Sequence, residues 1–256
     1  MTIDKYKAIC LDLDGTVYRG IEPIPEAVSF IENTQKNGLE PYFITNNSSM
    51  TRLGLQEKLA VLGVKANQKH IMTSAIAAAK FCKENFKGAS VMMIGEEGLE
   101  EALAFEGIDI TVKNPDVVIM GIDRDITYAK LADACLALRA GAKFIATNSD
   151  KAFPTERGLV PGNGSFVKLL ENASGVTPVF VGKPESYMLE FIQQENGYLK
   201  KEMIMIGDNY DTDILAGIRF GIDTVHVAGG VTSTEEVMRK NQYPTYSYQT
   251  LLELRI

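Results

Sequence analysis

The chain has 256 residues, a net charge of −7 and a pI of about 5.1, so it offers no basic field to nucleic acid or to an anionic membrane. Its 45% hydrophobic and 23% charged residues are those of an ordinary globular protein of one large or two modest domains. The opening MTIDKYKAIC lacks the charged-then-apolar pattern of a signal peptide, and no apolar run approaches the roughly 18 residues of a membrane helix. Cys10, Cys82 and Cys135 are odd in number and sit in apolar contexts, so they read as reduced core thiols, and a cytoplasmic location is expected.

Taken in chain order, residues 8–11 form a short buried-strand pattern, and the helix after Pro25 carries Ala27, Phe30 and Ile31 on one face. Residues 41–44 read as the next strand. Ser48 or Thr51 is placed to cap a helix that stops at Gly63, and an Ala-rich helix begins at Ser74. The middle third alternates strands at 91–94, 117–120 and 144–146 with helices at 98–105 and 128–140. Strands are then predicted at 179–181, 203–206 and 224–227, with helices at 186–196 and 212–220 between them. Such alternation predicts an α/β fold, a Rossmann-like parallel sheet with helices on both faces.

Four segments share one format, an apolar strand followed at once by polar residues: ICLDLDGT, YFITNNS, VFVGKP and IMIGDNYDTD. Open parallel sheets bind ligands beyond the carboxyl ends of their strands. If these strands are neighbours, one pocket receives Asp12, Asp14, Thr45, Asn46, Lys183, Asp208 and Asp213. A phosphate monoester and a carboxylate nucleophile are both anions and approach only when positive charge offsets their repulsion. Carboxylates that hold Mg²⁺, together with a lysine, supply that charge. Lys183 and the Thr45 hydroxyl suit the equatorial oxygens where transition-state charge collects. Asp12 can attack phosphorus covalently, and Asp14 can protonate the leaving oxygen and later deprotonate water. Gly15 permits the tight turn that follows.

These segments resemble, in order, the four motifs of the haloacid dehalogenase superfamily. The TNN and GDNYDTD forms, and the segment ATNSDKAFPTERGLVPGNG, are similar to its NagD-like branch, so the likeness spans nearly the whole chain. The resemblance implies an α/β cap inserted between the second and third motifs: core at 1–80 and 179–256, cap at 81–178. It implies Asp12, Asp208 and the backbone carbonyl of Asp14 as Mg²⁺ ligands, and Asp213 as a residue that orients a metal-bound water or Lys183. Thr45, Asn46 and Lys183 would hold the phosphate. The implied substrates are small phosphorylated metabolites, sugar or acid-sugar phosphates among them, with p-nitrophenyl phosphate as a test ester. A homodimer formed through the cap is compatible with this reading. Pyridoxal phosphate phosphatases of the branch carry a histidine where Phe153 stands and a tyrosine where Ile122 stands, which argues against that substrate.

Other readings are weaker. Asp208, Asp211 and Asp213 lack the glycine at position six and the glutamate at twelve of a calcium loop, and Asp211 suits a helix start. Gly162-Asn163-Gly164 lacks the third glycine of a dinucleotide fingerprint. His226, in an apolar strand, reads as a core residue. Phe153 lies in a turn-like loop and is read either as a specificity determinant or as cap core. A phospho-accepting receiver-like signalling module is the alternative function. Its length, and a second acid/base aspartate two residues past the phosphorylated one, count against it.

Overall fold

The computed structural model describes residues 2–155 and 157–255. The chain begins with β1 (Ala8–Asp12), the hairpin strands β2 (Tyr18–Arg19) and β3 (Glu22–Pro23), α1 (Pro25–Lys36), β4 (Tyr42–Thr45), α2 (Arg52–Val61) and β5 (Ile71–Thr73). The middle contains α3 (Ser74–Asn85), β6 (Val91–Ile94), α4 (Glu97–Phe105), β7 (Val117–Met120), α5 (Tyr128–Arg139), β8 (Lys143–Ala146), the antiparallel pair β9 (Ala152–Thr155) and β10 (Gly158–Pro161), α6 (Asn163–Ser174) and β11 (Val179–Phe180). The last part contains α7 (Tyr187–Asn196), β12 (Met203–Gly207), α8 (Leu215–Phe220), β13 (Asp223–Val227), α9 (Thr234–Val237) and β14 (Tyr246–Tyr248).

Two compact units result. The first contains the described residues up to Thr45, Arg52–Met72 and those from Lys183 onward; the second contains Asn46–Thr51 and Thr73–Gly182. These limits differ from the expected 1–80, 81–178 and 179–256. Helix α3 is one continuous element capped by the Thr73 hydroxyl, which accepts from Ile76 N at 3.2 Å, and it groups whole with the second unit.

The first unit is built on a six-stranded sheet in the order β14-β13-β12-β1-β4-β5. The pairs β1–β12, β1–β4, β12–β13 and β13–β14 are parallel. All residues of β1 and β12 are buried, as continuous apolar runs in a covered parallel sheet should be. From β1 the chain winds outward through β4 and β5, and after β12 it winds outward the other way. Right-handed crossovers in opposite directions put helices on opposite faces. The reversal falls between β1 and β12, and a crevice opens there at the carboxyl ends.

The second unit has a four-stranded sheet in the order β11-β8-β7-β6, with every pair parallel. Alternate residues Met92, Ile94, Val118, Met120, Phe144 and Ala146 pack with Ala134 and Leu138 of α5 and Val167 and Leu170 of α6. Among the described residues no helix is long and apolar enough to cross a membrane.

Candidate active site

Asp12 is the last residue of β1, Gly207 the last of β12 and Thr45 the last of β4. Register pairs Leu11 with Ile206 and Asp12 with Ile44, so Asp12, Asp208 and Thr45 emerge side by side at the reversal of the sheet. Asp12, Thr45, Lys183, Asp208 and Asp213 are all buried. One carboxylate oxygen from each of Asp12, Asp208 and Asp213 lies within 4.8 Å of the others.

Lys183 stands among these carboxylates. Its ammonium bonds Asp12 Oδ1, lies 2.7 Å from Asp213 Oδ1 and donates to Ile44 O at 3.3 Å. Burial alone would lower its pKa, but the Asp12 and Asp213 carboxylates outweigh burial and hold it above the ordinary lysine value. Burial first, and then the charge of Asp213, raises Asp12 well above the usual carboxylate range despite Lys183. The same two causes raise Asp208.

Asp208 is held from three sides. Thr16 Oγ1 donates to its Oδ1 at 2.9 Å, and Val231 N donates to its Oδ2 at 2.7 Å. The backbone closes around it: a Cβ on Gly15, whose φ is +93°, would stand 2.4 Å from Asp208 Oδ2, and a Cβ on Gly230 would stand 1.8 Å from it. Neither position has room for a side chain. Asp213 lies in a π-helical turn, Tyr210–Ile214, that precedes α8, where helix was expected from residue 212. Asn209 N donates to its Oδ2 at 3.0 Å, so Oδ1 is turned to Lys183.

The set fits a hard divalent cation. Its donors are all carboxylate oxygens, and three carboxylates against one ammonium leave two unbalanced negative charges in a buried place. Burial first, and then that crowding of negative charge, raises Asp12 and Asp208. Asp213 joins the cluster through its side chain, although Asp14 was the expected third ligand through its carbonyl. The Asp14 carboxylate is exposed and accepts from Tyr18 Oη at 3.2 Å.

Asn46 belongs to the second unit, where its amide donates to Asp150 Oδ2 at 3.3 Å and its carbonyl accepts from Asn148 Nδ2 at 2.9 Å. Phe153 is half-buried in β9, a strand where the sequence suggested a turn, and the Arg124 guanidinium lies 5.8 Å from its ring centroid. It is not among the residues of the cluster that packs β6, β7 and β8 against α5 and α6. Asp211 is exposed and pairs with Lys240 at 2.7 Å. His226 is fully buried. Its Nε2 donates to Thr232 O at 2.9 Å, since that carbonyl only accepts, and its Nδ1 lies 3.0 Å from Ser247 Oγ.

Sequence reasoning passed over Thr16, Tyr18 and the Gly229–Val231 turn. The turn carried a readable signal: VHVAGG is one more apolar strand followed by a turn, beside β12.

Comparison with known proteins agrees with this geometry. Residues 9–109 match the family described as haloacid dehalogenase-like hydrolase, and residues 180–254 match a second family described as HAD-hydrolase-like. The chain is 45% identical over 248 residues to the 5'-nucleotidase YutF of Bacillus subtilis (strain 168), covering 97% of each. It is 43% identical over 252 residues to the acid sugar phosphatase of Staphylococcus aureus (strain USA300), covering 97% of this chain and 96% of the other. A double mutant of the thermostable NPPase from Geobacillus stearothermophilus has a TM-score of 0.91 at 46% identity, covering 96% of this chain and 97% of that one. The 4-nitrophenylphosphatase of Thermotoga maritima has a TM-score of 0.91 at 31% identity, covering 97% and 96%.

Proposed function

Because the chain belongs to the haloacid dehalogenase-like hydrolases, in their NagD-like phosphatase branch, we propose that it hydrolyses small phosphate monoesters with Mg²⁺ through a phosphorylated Asp12. The observation that carries this reading is the buried cluster of Asp12, Asp208 and Asp213 around Lys183, with its two uncompensated negative charges.

Mg²⁺ bound by Asp12, Asp208 and the Asp14 carbonyl would screen nucleophile from phosphate and polarise a phosphate oxygen. The chain's own groups do the rest. Lys183 engages Asp12 Oδ1 and leaves Oδ2 to attack phosphorus. As the new P–O bond forms, the ester P–O bond breaks and the leaving oxygen takes a proton from Asp14. Asp14 then accepts a proton from the water that attacks the phosphorylated Asp12. That step releases inorganic phosphate and restores both carboxyl groups. Lys183 and the Thr45 hydroxyl would hold the phosphate oxygens. Asp213 keeps Lys183 in register.

Sugar and acid-sugar phosphates, with p-nitrophenyl phosphate as a test ester, are the substrates this reading favours, in keeping with relatives named acid sugar phosphatase and 4-nitrophenylphosphatase. The receiver-like alternative gives way to the enzymatic reading, since the relatives are named for hydrolysis. The test is Asp12→Asn, which keeps the side-chain shape but removes the attacking charge. Hydrolysis of p-nitrophenyl phosphate by the folded variant is expected to fall to background. Substantial turnover by it would contradict a covalent role for Asp12.

A further inference from the structure

Immediately after β1 the chain folds back on itself. Leu13 O accepts from the N–H groups of Thr16, Val17 and Tyr18 at 3.3, 2.8 and 3.2 Å, and Gly15 N donates to Tyr18 O at 2.8 Å. This turn brings residue 18 against residue 14, where the two also form a β-bridge. The Tyr18 side chain is buried, at 1% exposure, and its hydroxyl donates to Asp14 Oδ2 at 3.2 Å. The Lys58 ammonium, from α2, sits 3.8 Å from the centroid of the same ring.

Each contact has a consequence. A buried phenol needs a partner for its hydroxyl, and an exposed carboxylate does not need this one. The bond therefore orders Asp14 more than it satisfies it. In this bond the phenol O–H donates and the carboxylate oxygen accepts. An ammonium over the ring face draws density from the phenol and strengthens its O–H as a donor. Hydrogen bonds that position catalytic groups are often long in a free site and tighten with substrate bound.

We infer that Tyr18, braced by Lys58, is a positioning residue that holds the Asp14 carboxyl by Oδ2 and so turns Oδ1 toward the leaving oxygen. This rests on the reading of Asp14 as the acid/base group. The bland alternative is that Tyr18 is a core residue whose hydroxyl meets Asp14 incidentally.

The test is Tyr18→Phe, which keeps the ring, its packing and the Lys58 contact and removes one oxygen. Values of kcat and KM are measured on p-nitrophenyl phosphate and on the alkyl monoester turned over fastest in a panel, beside the melting temperature. p-Nitrophenolate leaves without a proton and an alkoxide does not. The alkyl ester should therefore lose about tenfold in kcat, p-nitrophenyl phosphate less than about threefold, and KM should hold for both. In an Asp14→Asn background, Tyr18→Phe should cost nothing further. Equal losses on the two esters, or losses that add to those of Asp14→Asn, would overturn the inference. Asp14→Asn alone separates the two levels: if it costs both esters equally, the acid/base reading falls and this inference falls with it. If it is selective and Tyr18→Phe is not, only the positioning role falls. Should Tyr18→Phe melt well below the parent, Lys58→Met leaves the phenol in place and should still give a two- to threefold selective loss on the alkyl ester, by about the strength one cation over a ring adds. No selectivity there would overturn the inference as well.

Discussion

Replacing Lys183 by methionine removes the cation from a buried group of three carboxylates while keeping most of the side-chain volume. Lys183 Nζ lies 2.7 Å from Asp213 and bonds Asp12 as well. At an effective dielectric of about 20, one such pair carries about 6 kcal/mol of attraction before desolvation is subtracted. Removing one partner of a buried pair leaves an uncompensated charge and costs about 3–5 kcal/mol. In chelator at neutral pH, Lys183→Met should therefore melt about 10 °C below the parent. The sign with pH follows from the carboxylates. Asp12 and Asp208 already have raised pKa values, caused first by burial and then by Asp213, and Lys183 is what opposes the rise. A carboxyl with a raised folded pKa contributes stability that is fully present below its unfolded value and is lost as pH rises through the folded one. Without Lys183 both values rise further, so the variant loses stability over a wider range upward from the ordinary carboxylate region. The pKa of Lys183 itself is raised, so in the parent its contribution is constant across that range and is lost only in strong alkali. Melting curves of parent and variant in EDTA, at pH 5 and pH 8, read the effect directly. The gap should be large at pH 8 and narrower at pH 5, and p-nitrophenyl phosphate hydrolysis should be at background. Equal melting at pH 8 would refute the charge accounting.

Gly230→Ala drives a Cβ into the place now 1.8 Å from Asp208 Oδ2, beside the Val231 N–H that bonds the same oxygen. Displacing a ligand's support typically weakens metal binding about 10- to 100-fold, so the Mg²⁺ concentration for half-maximal activity should rise by that factor. An unchanged requirement would remove Asp208 from the ligand set. EDTA should abolish activity in the parent and Mg²⁺ should restore it. Ca²⁺ should inhibit, because it takes more ligands at longer and looser distances than in-line attack tolerates. Saturating Mg²⁺ should also stabilise the fold, by about 2.7 kcal/mol at a hundred times its dissociation constant. Full activity in chelator would remove Asp12 and Asp208 as ligands.

Much of the candidate site was legible in the chain because it sits at the ends of strands. An apolar run that stops at Asp12, Thr45 or Asp208 is a local pattern, and the carboxyl ends of a parallel sheet converge wherever the winding reverses. The buried thiols Cys10 and Cys82 and the core position of His226 were readable for the same reason: burial and periodicity are properties of a short window. What the tertiary structure alone decided are pairings between distant segments. Thr16 meets Asp208 across 192 residues of sequence, and Lys183 meets Asp12 across 171. No local pattern told that the Asn46 amide would turn to Asp150, that Phe153 would enter a hairpin strand, or that one oxygen each of Asp12, Asp208 and Asp213 would lie within 4.8 Å of one another. The roles of Gly15 and Gly230 are of this kind too. A glycine in sequence signals only a permissive backbone, and what forbids a side chain there is a carboxylate delivered from another strand.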